Sequence, residues 1–94
     1  MSTPNSLPNE KDVAQAHPEA YLAGINMSKE VIERSGTKES DSPSVGRIAE
    51  IMSGVGKDAV QAMESMHGDE AYALFYGAAA EFGRQFPETL RSQS

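Results

Sequence analysis

Apolar residues recur along this chain at intervals of three and four, the period of one helix face, and nowhere at the strict alternation of a half-buried strand. In the first such stretch Tyr21, Leu22, Ile25, Ser28 and Ile32 keep the helical spacing, and Val31 widens the face. Pro18 suits the first helical position, where its missing N–H costs nothing, and Glu19 suits the positive first turn. Gly36 can cap the far end in a left-handed conformation. The pattern predicts a helix over 18–35. Residues 35–44, SGTKESDSPS, are small, polar and charged, which predicts a loop. Ser42 followed by Pro43 is a start signal for the next helix.

Val45, Ile48, Met52, Val55, Ala59, Ala62 and Met66 follow in alternating steps of three and four, a heptad seam held for three heptads. Ile51 and Met63 broaden the stripe, and the positions between are mostly polar. The seam passes through Gly54 and Gly56 in phase, so one helix from Val45 to Met66 is predicted. Each glycine costs about 1 kcal/mol in a helix interior, which leaves room for a kink or for a close approach of a neighbouring helix. Gly68 then suits the end of that helix and Asp69 the cap of the next, which runs to about Phe86 before Pro87. Tyr72, Phe75, Ala79, Phe82 and Phe86 share one face of it, and Leu74, Tyr76 and Ala78 carry the apolar surface almost around the cylinder. Five of the six aromatic residues lie here. A helix apolar on most sides must be covered on most sides, so this one is expected at the centre of the fold.

The resulting fold class is all-α: a small bundle of about three helices over residues 16–88. An unordered tail is expected over 1–15, with at most a helical turn at Val13, Ala14 and Ala16, and a polar tail over 89–94. The expected core comprises Leu22, Ile25, Ile32, Tyr72, Phe75, Phe82 and Phe86. With 94 residues and 38% apolar content, such a bundle is marginal alone, and there is no cysteine to staple it. Completion by homodimerisation is the expected remedy. The missing cysteines fit a reducing compartment.

Charge narrows the partners. Eight basic residues stand against fourteen acidic ones, a net charge of −6. Phosphate backbones and anionic membrane surfaces repel such a chain, so nucleic acid and membrane are disfavoured and a cationic or apolar protein surface is favoured. The first residues, MSTPNSLPNEKD, lack the basic and apolar regions of a secretory signal, and no run approaches the roughly 20 apolar residues that span a bilayer. A cytoplasmic location is expected.

No catalytic set emerges. Gly54-Val55-Gly56-Lys57-Asp58-Ala59 matches the glycine pattern of dinucleotide sites, but the strand that should precede it is missing, and Asp58 stands where a phosphate-binding loop needs serine or threonine. His17 and His67 are far apart, and His67-Gly68-Asp69-Glu70 reads as a helix junction rather than a metal site. No enzyme activity, cofactor or metal is therefore expected. Residues 47–63, RIAEIMSGVGKDAVQAM, also resemble the helix-turn-helix of small DNA-binding regulators. Ser53 disturbs the turn register, however, and the supposed recognition helix KDAVQAMESM is poorly charged for a major groove.

Met52, Met63 and Met66 lie on or beside the seam, an arrangement suited to an adaptable docking surface. The expected partner-binding residues are Val45, Ile48, Ile51, Met52, Val55, Met63 and Met66. In outline the chain resembles the QslA-type antiactivators of bacterial quorum sensing. The likeness lies in the N-terminus MSTPNSLPNEKD, the long amphipathic segment SVGRIAEIMSGVGKDAVQAMESM and the aromatic-alanine segment DEAYALFYGAAAEFGRQF. That resemblance implies a helical homodimer that binds a LuxR-type transcription regulator and occupies its dimerisation surface. The alternative is a small helix-turn-helix DNA-binding regulator.

Overall fold

The computed structural model describes residues 8–87. They form four α-helices: α1 (Glu10–Ala16), α2 (Pro18–Ser35), α3 (Val45–Met63) and α4 (Asp69–Gln85), with one 3₁₀ turn at Glu39–Asp41. No strand occurs among the described residues. The all-α class stands, with one helix more than expected.

The additional helix is α1, which occupies residues expected to belong to a tail. Asn9 caps it by accepting from the backbone N–H of Lys11 at 2.9 Å and of Asp12 at 3.4 Å. Val13 is buried among residues of α2, α3 and α4. Two tyrosine hydroxyls add tethers, Tyr21 donating to Glu10 Oε2 and Tyr76 to the Pro8 carbonyl, both at 2.8 Å. The segment has little apolar content of its own, so tertiary contacts do the ordering that composition cannot. The remainder of the expected tails, residues 1–7 and 89–94, lies outside the described residues.

Pro18 and Gly36 bound α2 as expected, with Gly36 at φ 70°. The cap of α3 comes two residues after Ser42: Ser44 Oγ accepts from Arg47 N at 3.1 Å, and Ser42 takes a left-handed φ of 51° in the preceding turn. α3 then passes without a break through Gly54 and Gly56. The turn of a helix-turn-helix is therefore not made. The helix ends at Met63, so Met66 leaves the heptad seam and lies in the connection to α4. Gly68, at φ 59° and ψ −131°, takes the capping position expected of Asp69, a positive-φ conformation that glycine adopts without steric cost.

Two apolar clusters fix the topology. The C-terminal ends of α2 and α4 (Ile32, Phe82, Phe86) cluster with the N-terminal half of α3 (Ile48, Ile51, Val55). The N-terminal ends of α2 and α4 (Ala20, Ala73, Leu74) cluster with the end of α3 (Ala59, Ala62, Met63) and with Val13. α3 therefore runs antiparallel to α2 and α4 in an up-down-up bundle, with α1 across one end.

The α2–α4 contact is the tightest in the molecule. Ala20, Gly24, Ser28 and Ile32 form the buried line of α2, and Ala73, Gly77 and Glu81 a matching line on α4, each at steps of four. Rows at that spacing are the ridges by which helices interlock. A methyl group on Gly24 would overlap the Leu74 carbonyl oxygen and lie 2.8 Å from Ala78 N. One on Gly77 would overlap the Tyr21 carbonyl oxygen. This line rotates α2 so that Leu22 points outward, 55% exposed, and leaves Ile25 half-buried. On α4 it places Tyr72 and Phe75 at the surface. Of the expected core, Ile32, Phe82 and Phe86 are buried; Leu22, Tyr72 and Phe75 are corrected to surface positions.

Candidate functional site

The side of α4 that faces α3 is built differently. α3 buries Ile51, Val55 and Ala59, a row that reaches Ala78 and Phe82. Beside that row the two helices leave a groove of about 280 Å³, lined by Met52, Val55, Gly56, Ala59, Phe75, Ala78, Ala79, Phe82 and Gly83. Its origin is local. Gly56, Ala59, Ala79 and Gly83 stand where larger side chains would fill the space, and no atom lies within 4 Å of where a Gly56 methyl would sit. Met52, 47% exposed, and Phe75, 48% exposed, stand at its edges.

The groove belongs to a longer apolar strip. Val45, Ala49, Met52, Gly56 and Val60 succeed one another at steps of four, three, four and four on the outer side of α3, all exposed. On α4, exposed Tyr72, Phe75 and Ala79 and half-buried Gly83 succeed one another at steps of three, four and four. None of the nine is charged, in a chain with 23% charged residues.

The expected partner-binding seam is thus divided. Val45 and Met52 are on the strip. Ile51 and Val55 are spent in the chain's own core, and Ile48 packs half-buried beside them. Met63 and Met66 are half-buried against the second cluster. The strip instead recruits Val60, Tyr72 and Phe75, which sequence reasoning had placed elsewhere or passed over. The usable signal was the apolar character of α4 on nearly every side, more than two neighbouring helices can cover.

Other constellations do not assemble. The glycines of the dinucleotide-like pattern sit inside α3, where their N–H groups belong to helical hydrogen bonds and cannot cradle phosphate. His67 is exposed between α3 and α4, and His17 precedes α2. Among the described residues no three His, Cys, Asp or Glu side chains gather as a metal site. A more open depression of about 460 Å³ between α2 and α3 is lined by Ala23, Asn26, Met27, Glu30 and Asp58. No helix among the described residues is long and apolar enough to cross a membrane.

The strongest electrostatic feature lies away from the groove. The Glu81 side chain is 4% exposed and accepts from Arg84 Nε at 3.0 Å, Arg84 Nη2 at 2.6 Å and Gln85 Nε2 at 2.9 Å. The Arg84 hydrogen bonds hold its carboxyl below the ordinary glutamate range against the opposing effect of burial. Tyr21 is pushed up, first by its hydrogen bond to Glu10 and then by burial. Both arrangements secure the fold. The chain matches no family model, no curated protein and no solved structure.

Proposed function

We propose that this chain is a protein-interaction module whose α3–α4 face receives the apolar stripe of a partner helix, the partner being a transcription regulator whose dimerisation surface is thereby occupied. The observation that carries the proposal is the uncharged strip with its open groove on a strongly acidic chain. Helix-in-groove binding uses anchors at i, i+3, i+4 and i+7 seated in an apolar trough. The trough between Met52 and Phe75 is apolar and open, and the exposed Val60 and Tyr72 add apolar surface on the same two helices. Exposed Glu50 and Glu64 on α3 and its C-terminal connection favour a partner with basic flanks, as DNA-binding regulators have. The regulator class comes from the QslA-type resemblance. Inhibition follows by competition: a stripe buried here is not available for the regulator's own pairing.

The test is capture of a purified LuxR-type regulator by the full chain. Met52→Asp and Phe75→Asp should each weaken capture at least tenfold with helicity retained by circular dichroism. Leu22→Asp, equally exposed but on α2, should leave it unchanged. Capture that survives both strip substitutions, or that Leu22→Asp weakens as much, refutes the proposal.

A further inference from the structure

We propose that the α3–α4 groove is gated by oxidation: a peroxide converts Met52 to its sulfoxide, and the chain then releases its partner. The proposal rests on that groove being the docking site and adds its regulation.

Three observations carry it. The first is composition. The chain has no cysteine and no tryptophan, so its methionines are the side chains most open to a mild oxidant. The second is exposure. Among the described residues, Met27, Met63 and Met66 are half-buried against the second cluster, whereas Met52 is 47% exposed. A peroxide arriving from solvent therefore meets Met52 first. The third is what surrounds it. The other residues lining the groove are glycine, alanine, valine and phenylalanine. They offer no side-chain donor, and their backbone N–H groups lie within α3 and α4.

The reaction transfers one oxygen atom from hydrogen peroxide. A sulfur lone pair attacks a peroxide oxygen, so an S–O bond forms as the O–O bond breaks. Sulfur is oxidised by two electrons, and the departing hydroxide takes the proton of the new S–OH group and leaves as water. The product places a polar, chiral sulfoxide on an apolar wall. In the free chain that oxygen is hydrated. Beneath a docked helix it loses its water and meets no donor, which weakens docking roughly tenfold. Met52 belongs to neither core cluster, so the fold survives the change.

The test treats the full chain with hydrogen peroxide, removes the oxidant, maps sulfoxides by peptide mass spectrometry and then measures capture of the same purified regulator. Met52 should oxidise ahead of Met27, Met63 and Met66, with helicity retained by circular dichroism. Capture should fall about tenfold and return after a methionine sulfoxide reductase with a dithiol has acted. Met52→Leu, compared only with itself before and after peroxide, should show no such fall. Oxidation that reaches the half-buried methionines first overturns the proposal. So does capture that persists once Met52 is fully oxidised, or a Met52→Leu chain that loses capture as steeply as the wild type. An untreated chain that captures nothing removes the proposed function and this proposal with it; one that captures and is indifferent to peroxide removes this proposal alone.

Discussion

α4 meets its two neighbours in opposite ways. Against α2 it presents Ala73 and Gly77, and α2 answers with Ala20 and Gly24, so small meets small and the backbones touch, with Glu81 and Ser28 buried farther along the same rows. Against α3 the small residues Ala79 and Gly83 stand beside Phe75, and Gly56 stands beside Met52. Half-exposed Met52 and Phe75 stand at the edges of a groove whose floor includes the small residues Gly56, Ala59, Ala79 and Gly83. Glycine therefore closes one contact and opens the other. What decides between them is the size of the residues on the opposing row, since close packing is lost as soon as one partner cannot approach.

That contrast can be broken most forcefully at the closed contact. Gly77→Val or Gly24→Val places carbon where backbone already sits. Overpacking ordinarily costs about 1–3 kcal/mol, and rigid backbone cannot give way as side chains do, so each should cost at least ~3 kcal/mol in urea unfolding. An effect under ~1 kcal/mol would show that the helices do not approach so closely.

Glu81→Gln should cost about 1–2 kcal/mol near neutral pH, because a charge-assisted pair on a buried carboxylate is removed while Arg84 stays in water. The folded carboxyl titrates lower than the unfolded one. Its contribution is therefore complete above the ordinary glutamate range and disappears as pH falls through the folded value. Thermal melts should show the wild type losing stability more steeply than Glu81→Gln as pH falls through the acid range; parallel curves would contradict this origin.

Ser28 Oγ is buried in the α2–α4 contact without a hydrogen-bond partner. Ser28→Ala should therefore stabilise by about 1 kcal/mol, the penalty of an unsatisfied buried hydroxyl being ~1–3 kcal/mol. Destabilisation would mean that the hydroxyl is bonded. At the open contact the smallest change is expected: Gly56→Ala meets nothing and gains helix propensity, raising stability by about 0.5–1 kcal/mol. A loss there would erase the distinction between the two glycine environments.

Much of the fold was legible before any coordinates. Pro18 and Gly36 bounded α2, and the phase-preserving seam kept α3 whole through its glycines, because backbone preference and helical period are local properties of the chain. α1 was not legible, since its order comes from Tyr21, Tyr76 and the burial of Val13. The candidate site was half legible. Of the expected partner-binding residues Val45 and Met52 are exposed, whereas Ile51 and Val55 belong to the core; Phe75, expected in the core, is at the surface.

The residues alone determined the limits of α2, the start of α3 and its continuity through the glycines, and which stretches are amphipathic. Only the packed molecule decided which part of each apolar surface is consumed and which remains. A heptad pattern specifies a stripe wider than one neighbour covers, and the rotation of each helix about its axis is set by side-chain volumes on the helix opposite. Here the Ala20–Gly24–Ser28 row drew α2 onto α4, turned Leu22 and Phe75 outward, and left the α3–α4 groove open.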